Sequence, residues 1–227
     1  MKFTYYGHAC FAVETDGATL LFDPFITPNE LAKEIDVDAI AADFILLTHG
    51  HVDHVADAVR IAGRTGATVI ANFEVATWIG KQGIAAVHAM NIGGSSAFDF
   101  GRVKYVNAIH SSSLPDGSHG GQPGGFVVET KSAGSFYAAG DTALTLDMKL
   151  IAEEFQLRFA ALPIGDNFTM GAADAARAAG FIGCDEIVGI HYDTFPPIRI
   201  DHAAAKAVFA AAGRRLHLLK IGESHDF

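Results

Sequence analysis

The chain begins with short runs of alternating or continuous apolar residues. Residues 2–6, 10–15 and 19–23 read as strands, separated by Gly7-His8 and by Asp16-Gly17, a strong hairpin-turn pair. Asp43-Phe44-Ile45-Leu46-Leu47-Thr48 is a further strand-like run. Helical spacing of apolar positions follows over 54–64 and 73–82. Strand-like segments return at 67–71, 86–90, 102–109, 125–130 and 135–139. The remainder alternates: a helix near 147–156, a strand at 158–163, a helix near 172–181, a strand at 186–190, a helix at 202–212 and a strand at 215–219. Strands in blocks with helices between them, in two roughly similar halves, predict two sheets packed face to face. With helices covering the outsides, the expectation is an α/β protein, a four-layer αββα sandwich formed by residues 1–227 as one domain. No linker, low-complexity tract or clear internal repeat interrupts it.

Composition narrows the functional classes. The 227 residues are ample for a sizeable core, and half are hydrophobic. Charges break every apolar stretch before the ~18 residues a membrane span needs. Met1-Lys2-Phe3-Thr4 runs straight into strand-like sequence, without the layout of a secretion signal. The formal net charge is −10, with no basic stripe, which argues against nucleic acid or an anionic membrane as partner. The expected partner is a small-molecule substrate, with a homo-oligomer left open. Cys10 and Cys184 fit no CxxC pattern and are expected to be buried free thiols of a cytoplasmic protein.

The chemistry concentrates in His49-Gly50-His51-Val52-Asp53-His54. Imidazole nitrogen and carboxylate oxygen suit zinc, manganese and iron. The cluster sits where a strand ends and a helix begins. His49 and His51, two apart on extended chain, point the same way. Asp53 and His54 fall near the first helical turn and aim at a second position, so two adjacent metals are the natural reading. His110, Asp141 and His191 each follow an apolar strand, which gives them the same placement. His8 opens the same sheet and is a candidate close to the metals. Asp166 and Asn167 follow a strand and are candidates to line the pocket. His88, His202, His217 and His225 have no supporting pattern and read as surface or structural. The fifteen residues 111–125 form a long Gly/Ser/Pro loop that begins beside His110. Loops of that length in compact domains are commonly functional, so it is expected to cover the centre, with His119 as its one side chain able to transfer a proton near neutrality.

HxHxDH, a later strand-end His, a Gly-Asp and a final strand-end His together resemble the metallo-β-lactamase superfamily, over nearly the whole chain. Several segments narrow the resemblance: Tyr6-Gly7-His8-Ala9-Cys10-Phe11, Phe22-Asp23-Pro24-Phe25, Gly120-Gly121-Gln122-Pro123-Gly124-Gly125-Phe126, Ala139-Gly140-Asp141-Thr142, Pro163-Ile164-Gly165-Asp166-Asn167-Phe168-Thr169-Met170-Gly171 and His191-Tyr192-Asp193-Thr194-Phe195-Pro196. They are similar to an uncharacterised family of small prokaryotic metal-dependent hydrolases related to ascorbate-6-phosphate lactonase. The resemblance implies His49, His51 and His110 on one metal, Asp53, His54 and His191 on a second, and Asp141 bridging. Asp23 would support the metal loop from behind. The family usually carries Pro-Met before the last His, where this chain has Gly189-Ile190.

Seven protein ligands on two divalent ions, zinc first with manganese, nickel or iron as alternatives, leave open positions. They imply hydrolysis by a hydroxide shared between the ions. Asp53, Asp141, His8 and Asp166 are the side chains expected to act in catalysis. The bond would be an ester, lactone or phosphodiester in a small, anionic substrate, attracted because the ions outweigh the carboxylates and the hydroxide. The competing readings are a mononuclear iron oxidoreductase of the persulfide dioxygenase kind and a non-catalytic metal-binding module.

Overall fold

A computed structural model describes residues 1–227. The first half runs β1 (Lys2–Gly7), β2 (Cys10–Thr15), β3 (Ala18–Phe22), β4 (Phe44–Leu47), α1 (Val52–Val55), α2 (Ala58–Thr65), β5 (Thr68–Asn72), α3 (Phe73–Lys81) and β6 (Val87–Met90). The second runs β7 (Ser95–Phe98), β8 (Gly101–Asn107), β9 (Gly124–Thr130), β10 (Ser135–Ala138), α4 (Met148–Glu154), β11 (Leu157–Pro163), α5 (Ala172–Phe181), β12 (Glu186–Ile190), α6 (His202–Ala211), β13 (Arg215–His217) and β14 (Ser224–Asp226). They form two seven-stranded sheets, ordered β14-β1-β2-β3-β4-β5-β6 and β13-β12-β11-β10-β9-β8-β7. Each sheet is antiparallel on one side and parallel on the other, the change falling at β3/β4 and at β10/β11.

Burial follows the two-residue period of a strand. Leu20, Phe22 and Leu46 face the space between the sheets, while Leu21, Ile45 and Leu47 face α1–α3. In the second sheet Phe159, Ala161, Val188 and Ile190 face inward, and Ala160, Leu162 and Ile187 lie under α4–α6. Both faces of the parallel strands are thus covered, which is why Phe44-Ile45-Leu46-Leu47 is a continuous apolar run. Three apolar layers between four layers of structure make the αββα sandwich. Phenylalanine rings fill the central layer: Phe11 stacks on Phe3 and on Phe22 at 4.6 Å, and Phe22 meets Phe136 of the facing sheet edge-on at 5.8 Å. Such pairs add about 0.5–1.5 kcal/mol each beyond their burial.

Three features depart from the sequence pattern. The helix expected over 54–64 is two helices, α1 and α2, interrupted at Ala56-Asp57. The buried Asp57 carboxylate accepts from the backbone of Ile26 at 2.7 Å and Thr27 at 2.8 Å, so a tertiary anchor takes precedence over helical continuity. β7 and β14 carry no apolar signal, because each is a short edge strand with one polar side in solvent. Gly189-Ile190 leaves the parallel register intact, pairing Leu162 with Gly189 and Pro163 with Ile190. Ile164 and Leu218 occupy the space a side chain at 189 would need, approaching within 2.6 and 2.9 Å of its Cβ position. Cys10 and Cys184 are buried free thiols, and no helix is long and apolar enough to cross a membrane.

Candidate metal centre

The ends of β4, β8, β10 and β12 converge at one edge of the sandwich. β4 ends at Leu47 and passes through Thr48 into His49. Asp23, just past β3, is buried with a left-handed φ of 42°. Its carboxylate accepts from the Thr48 backbone at 2.8 Å, the Thr48 hydroxyl at 2.7 Å and His54 Nδ1 at 2.9 Å. With its hydroxyl proton committed to Asp23, Thr48 Oγ1 accepts from His49 Nδ1 at 3.1 Å. Both rings are thereby held with Nε2 turned toward the centre. The strand-end pattern does not single out Thr48, whose part depends on Asp23 beside it.

Asp141 arrives behind Gly140, whose φ of 62° and whose Cβ position, 2.6 Å from Thr48 Cβ, leave room for glycine alone. Gly140→Ala is therefore expected to cost about 2–4 kcal/mol, from the left-handed backbone and the overlap with Thr48. Urea unfolding measures it, and an unchanged midpoint would contradict this packing. His191 follows β12 with φ 56° and donates its N–H to the carbonyl of His8, also left-handed at 55°, at 2.8 Å. Two turns from opposite sheets are joined there, and the two imidazoles lie 4.1 Å apart.

Asp141 Oδ2 stands 2.9 Å from His191 Nε2, 3.4 Å from His54 Nε2 and 3.5 Å from His110 Nε2. Ligand atoms gather in three overlapping groups: His49, His51 and His110; His49, His54 and Asp141; and His8, Asp53, His54 and His191. All seven residues expected to bind metal are thus adjacent. His8 joins them, its Nε2 3.0 Å from Asp53 Oδ2 and its Nδ1 2.9 Å from Thr194 Oγ1.

The electrostatics fit a cation. Burial pushes His49, His51 and His110 below the usual imidazole range, so they are neutral, and His49 Nε2 accepts from His51 Nδ1 at 2.9 Å. His8 falls to about 4, again through burial, with His191 and His54 adding to the shift. Burial opposes protonation of His191 too, but Asp141 outweighs it and raises that ring to about 9. His54 is raised likewise, against its burial, by Asp141, Asp23 and Asp53. Burial also opposes ionisation of Asp141, yet His54 and His191 hold it well below the usual carboxylate range. Two protonated imidazoles thus supply positive charge between carboxylates. His54 Nε2 and Asp141 Oδ1 nevertheless remain buried without a hydrogen-bond partner. An uncompensated donor set of imidazoles and carboxylates is what a metal ion satisfies.

A cleft of about 270 Å³ opens over these groups, lined by His51, Asp53, His110, Ser111, Asp141, Phe168, His191 and Phe195, with no lysine or arginine. A separate groove of 290 Å³ between β8 and α4 contains no histidine. Two expectations need correction. Asp166 does not line the cleft: the tight turn at 166–170 leaves it exposed on another groove with Arg199 and Asp201, and Phe168 faces the centre instead. The 111–125 loop contributes Ser111 but does not cover the site. Ser112 Oγ accepts from Gly50 N and donates to Gly120 O, Asn72 Nδ2 donates to Gly120 O and Gln122 O, and Leu114 packs against Gly50. The segment braces the His49–His51 turn from outside, while exposed His119 lies in a hollow beside Trp78 of α3.

Comparison with known proteins agrees with this geometry. A family model described as a beta-lactamase superfamily domain matches residues 2–191. A UPF0173 metal-dependent hydrolase of Christiangramia forsetii is 56% identical, over 99% of this chain and 99% of that protein. Igni18, a metallo hydrolase of the hyperthermophilic archaeon Ignicoccus hospitalis, superposes with a TM-score of 0.88 at 34% identity, covering 100% of this chain and 98% of that one. An isothiocyanate hydrolase from Delia radicum gut bacteria shares the fold, with a TM-score of 0.80 at 20% identity over 100% and 99% of the two chains. The chain belongs to the UPF0173 family of metal-dependent hydrolases, within the beta-lactamase superfamily.

Proposed function

We propose that the centre binds two divalent ions and hydrolyses an ester, lactone or phosphodiester bond of a small substrate. His49, His51 and His110 would hold one ion, Asp53, His54 and His191 the other, and Asp141 both. The observation that carries this reading is the Asp141 carboxylate, within 3.5 Å of a nitrogen from each triad. Two ions there would lower the pKa of water towards neutrality and polarise the scissile carbonyl or phosphoryl oxygen.

The chain's own groups do the rest. Asp23 and Thr48 fix which nitrogens of His54 and His49 face inward. Neutral His8 donates to Asp53 Oδ2, and the Thr194 hydroxyl donates to its other nitrogen, so His8 positions Asp53. Asp53 has its side chain 21% exposed to the cleft; burial opposes its ionisation, yet His54, His191 and His8 hold it far below the usual carboxylate range, so it stays ionised and available to an ion. Positive charge would draw an anionic group, which the ions alone would hold, since no basic side chain lines the cleft.

Elemental analysis after loading with excess zinc or manganese, paired with an ester and phosphodiester panel, tests the reading. About two equivalents per chain with hydrolysis are expected. One equivalent without hydrolysis would overturn it, and one iron with oxygen consumption would select redox chemistry. The protonated histidines add a pH signature. His191 keeps its proton up to about 9 in the metal-free protein, so an arriving ion must displace it. Affinity should therefore rise as pH climbs toward 9 and weaken as pH falls, with roughly one to two protons released per chain at pH 7. Calorimetry in buffers of different ionisation enthalpy reads that release, and its absence would remove His54 and His191 from the ligand set.

A further inference from the structure

The cleft has a polar floor and apolar walls. Phe195 is half-buried, its ring edge-on to His8 at 5.4 Å and tilted against Phe25 at 6.2 Å, so it is a fixed wall. Phe168 is 54% exposed and lines the same cleft, on the turn after β11. That turn is anchored. Asp166 and Asn167 adopt left-handed φ values of 62° and 54°, which Asp and Asn accept more readily than other side chains. Asp166 N donates to Met170 O at 3.1 Å, and Met170 N donates to the carbonyl of Thr142, next to Asp141, at 3.1 Å. Met170 is buried beneath while Phe168 faces the cleft. An exposed ring on an anchored turn at the cleft does not fill a core.

Resting on the hydrolytic reading above, we propose that Phe168 and Phe195 form an apolar jaw for a hydrocarbon group beside the scissile bond. The substrate class is then a neutral carboxylic ester or lactone with a short apolar acyl arm, rather than a phosphodiester. The ions would attract a phosphodiester's charge, but the walls add no lysine or arginine to hold it, whereas the two rings favour an apolar arm. At about 270 Å³ the cleft is below the usual range for drug-sized ligands, which suits a short acyl group.

Two measurements on the zinc-loaded protein test the jaw. 4-Nitrophenyl acetate, propionate and butyrate give kcat/KM against chain length, and calorimetry with the matching hydroxamates gives binding without turnover. In the native protein both should rise by up to about fourfold per methylene. Phe168→Ala should flatten both gradients, its loss growing with chain length, while zinc content stays at the native value. Binding that ignores chain length, or an unchanged gradient in Phe168→Ala, would overturn the jaw. Graded hydroxamate binding without ester hydrolysis would sink the hydrolytic reading and leave the jaw standing. Equal kcat/KM at every length would do the reverse.

Discussion

Asp141→Ala is expected to lower turnover by about three orders of magnitude, equivalent to losing roughly 4 kcal/mol of transition-state stabilisation. One carboxylate lies within reach of His54, His110 and His191, so its loss removes the group common to both triads. It also removes the largest of the negative charges that keep His54 and His191 protonated, so both should lose their protons at lower pH than in the native protein. Asp141→Asn keeps the volume and removes the charge, which separates electrostatics from packing. Metal content, thermal unfolding and turnover should be measured together. Near-native turnover with two ions retained would refute the shared role.

Asp23→Ala should weaken the protein far more than an ordinary buried substitution. Three donors, the Thr48 N–H, the Thr48 hydroxyl and His54 Nδ1, lose their acceptor at once in a buried place. Leaving buried donors unsatisfied costs ~1–3 kcal/mol each, so a loss of about 3 kcal/mol or more is expected. His54 also loses the restraint that aims Nε2, which should weaken metal affinity by roughly 10–100-fold. Asp23→Asn offers one oxygen in place of two and should fall between. Urea denaturation and a zinc competition titration read the two effects. An unchanged midpoint and dissociation constant would mean that the three bonds carry little.

The metal-type residues were legible because the chemistry and the architecture share a signal. A histidine or aspartate that ends a continuous apolar strand is placed by that strand, so His49, Asp141 and His191 could be located before any contact was known. What was not legible depends on partners distant in sequence. Asp57 reads as one more polar residue of a helix until Ile26 and Thr27 supply the donors that break it. β14 is ordered by pairing with β1, at the opposite end of the chain. The 111–125 loop has the composition of a mobile cover, but Asn72, Ser112 and Leu114 secure it against the Gly50 turn. Asp166 was on the right loop, but the left-handed backbone at 166 and 167 gives the cleft to Phe168 instead. Alternation along a strand says which way its side chains face; tight turns carry no such rule.

The bond from His191 N to His8 O crosses from one sheet to the other beside the reacting groups. The centre is therefore assembled by the docking of two halves, neither of which carries a complete set of donors. An ion that binds only the docked state draws the equilibrium toward docking, by about 2.7 kcal/mol when its concentration is a hundred times its dissociation constant. Cofactor supply would then act as a thermodynamic clasp on the whole molecule. A substitution deep in the phenylalanine layer, remote from any ligand, would surface as weakened ion retention before it surfaced as unfolding.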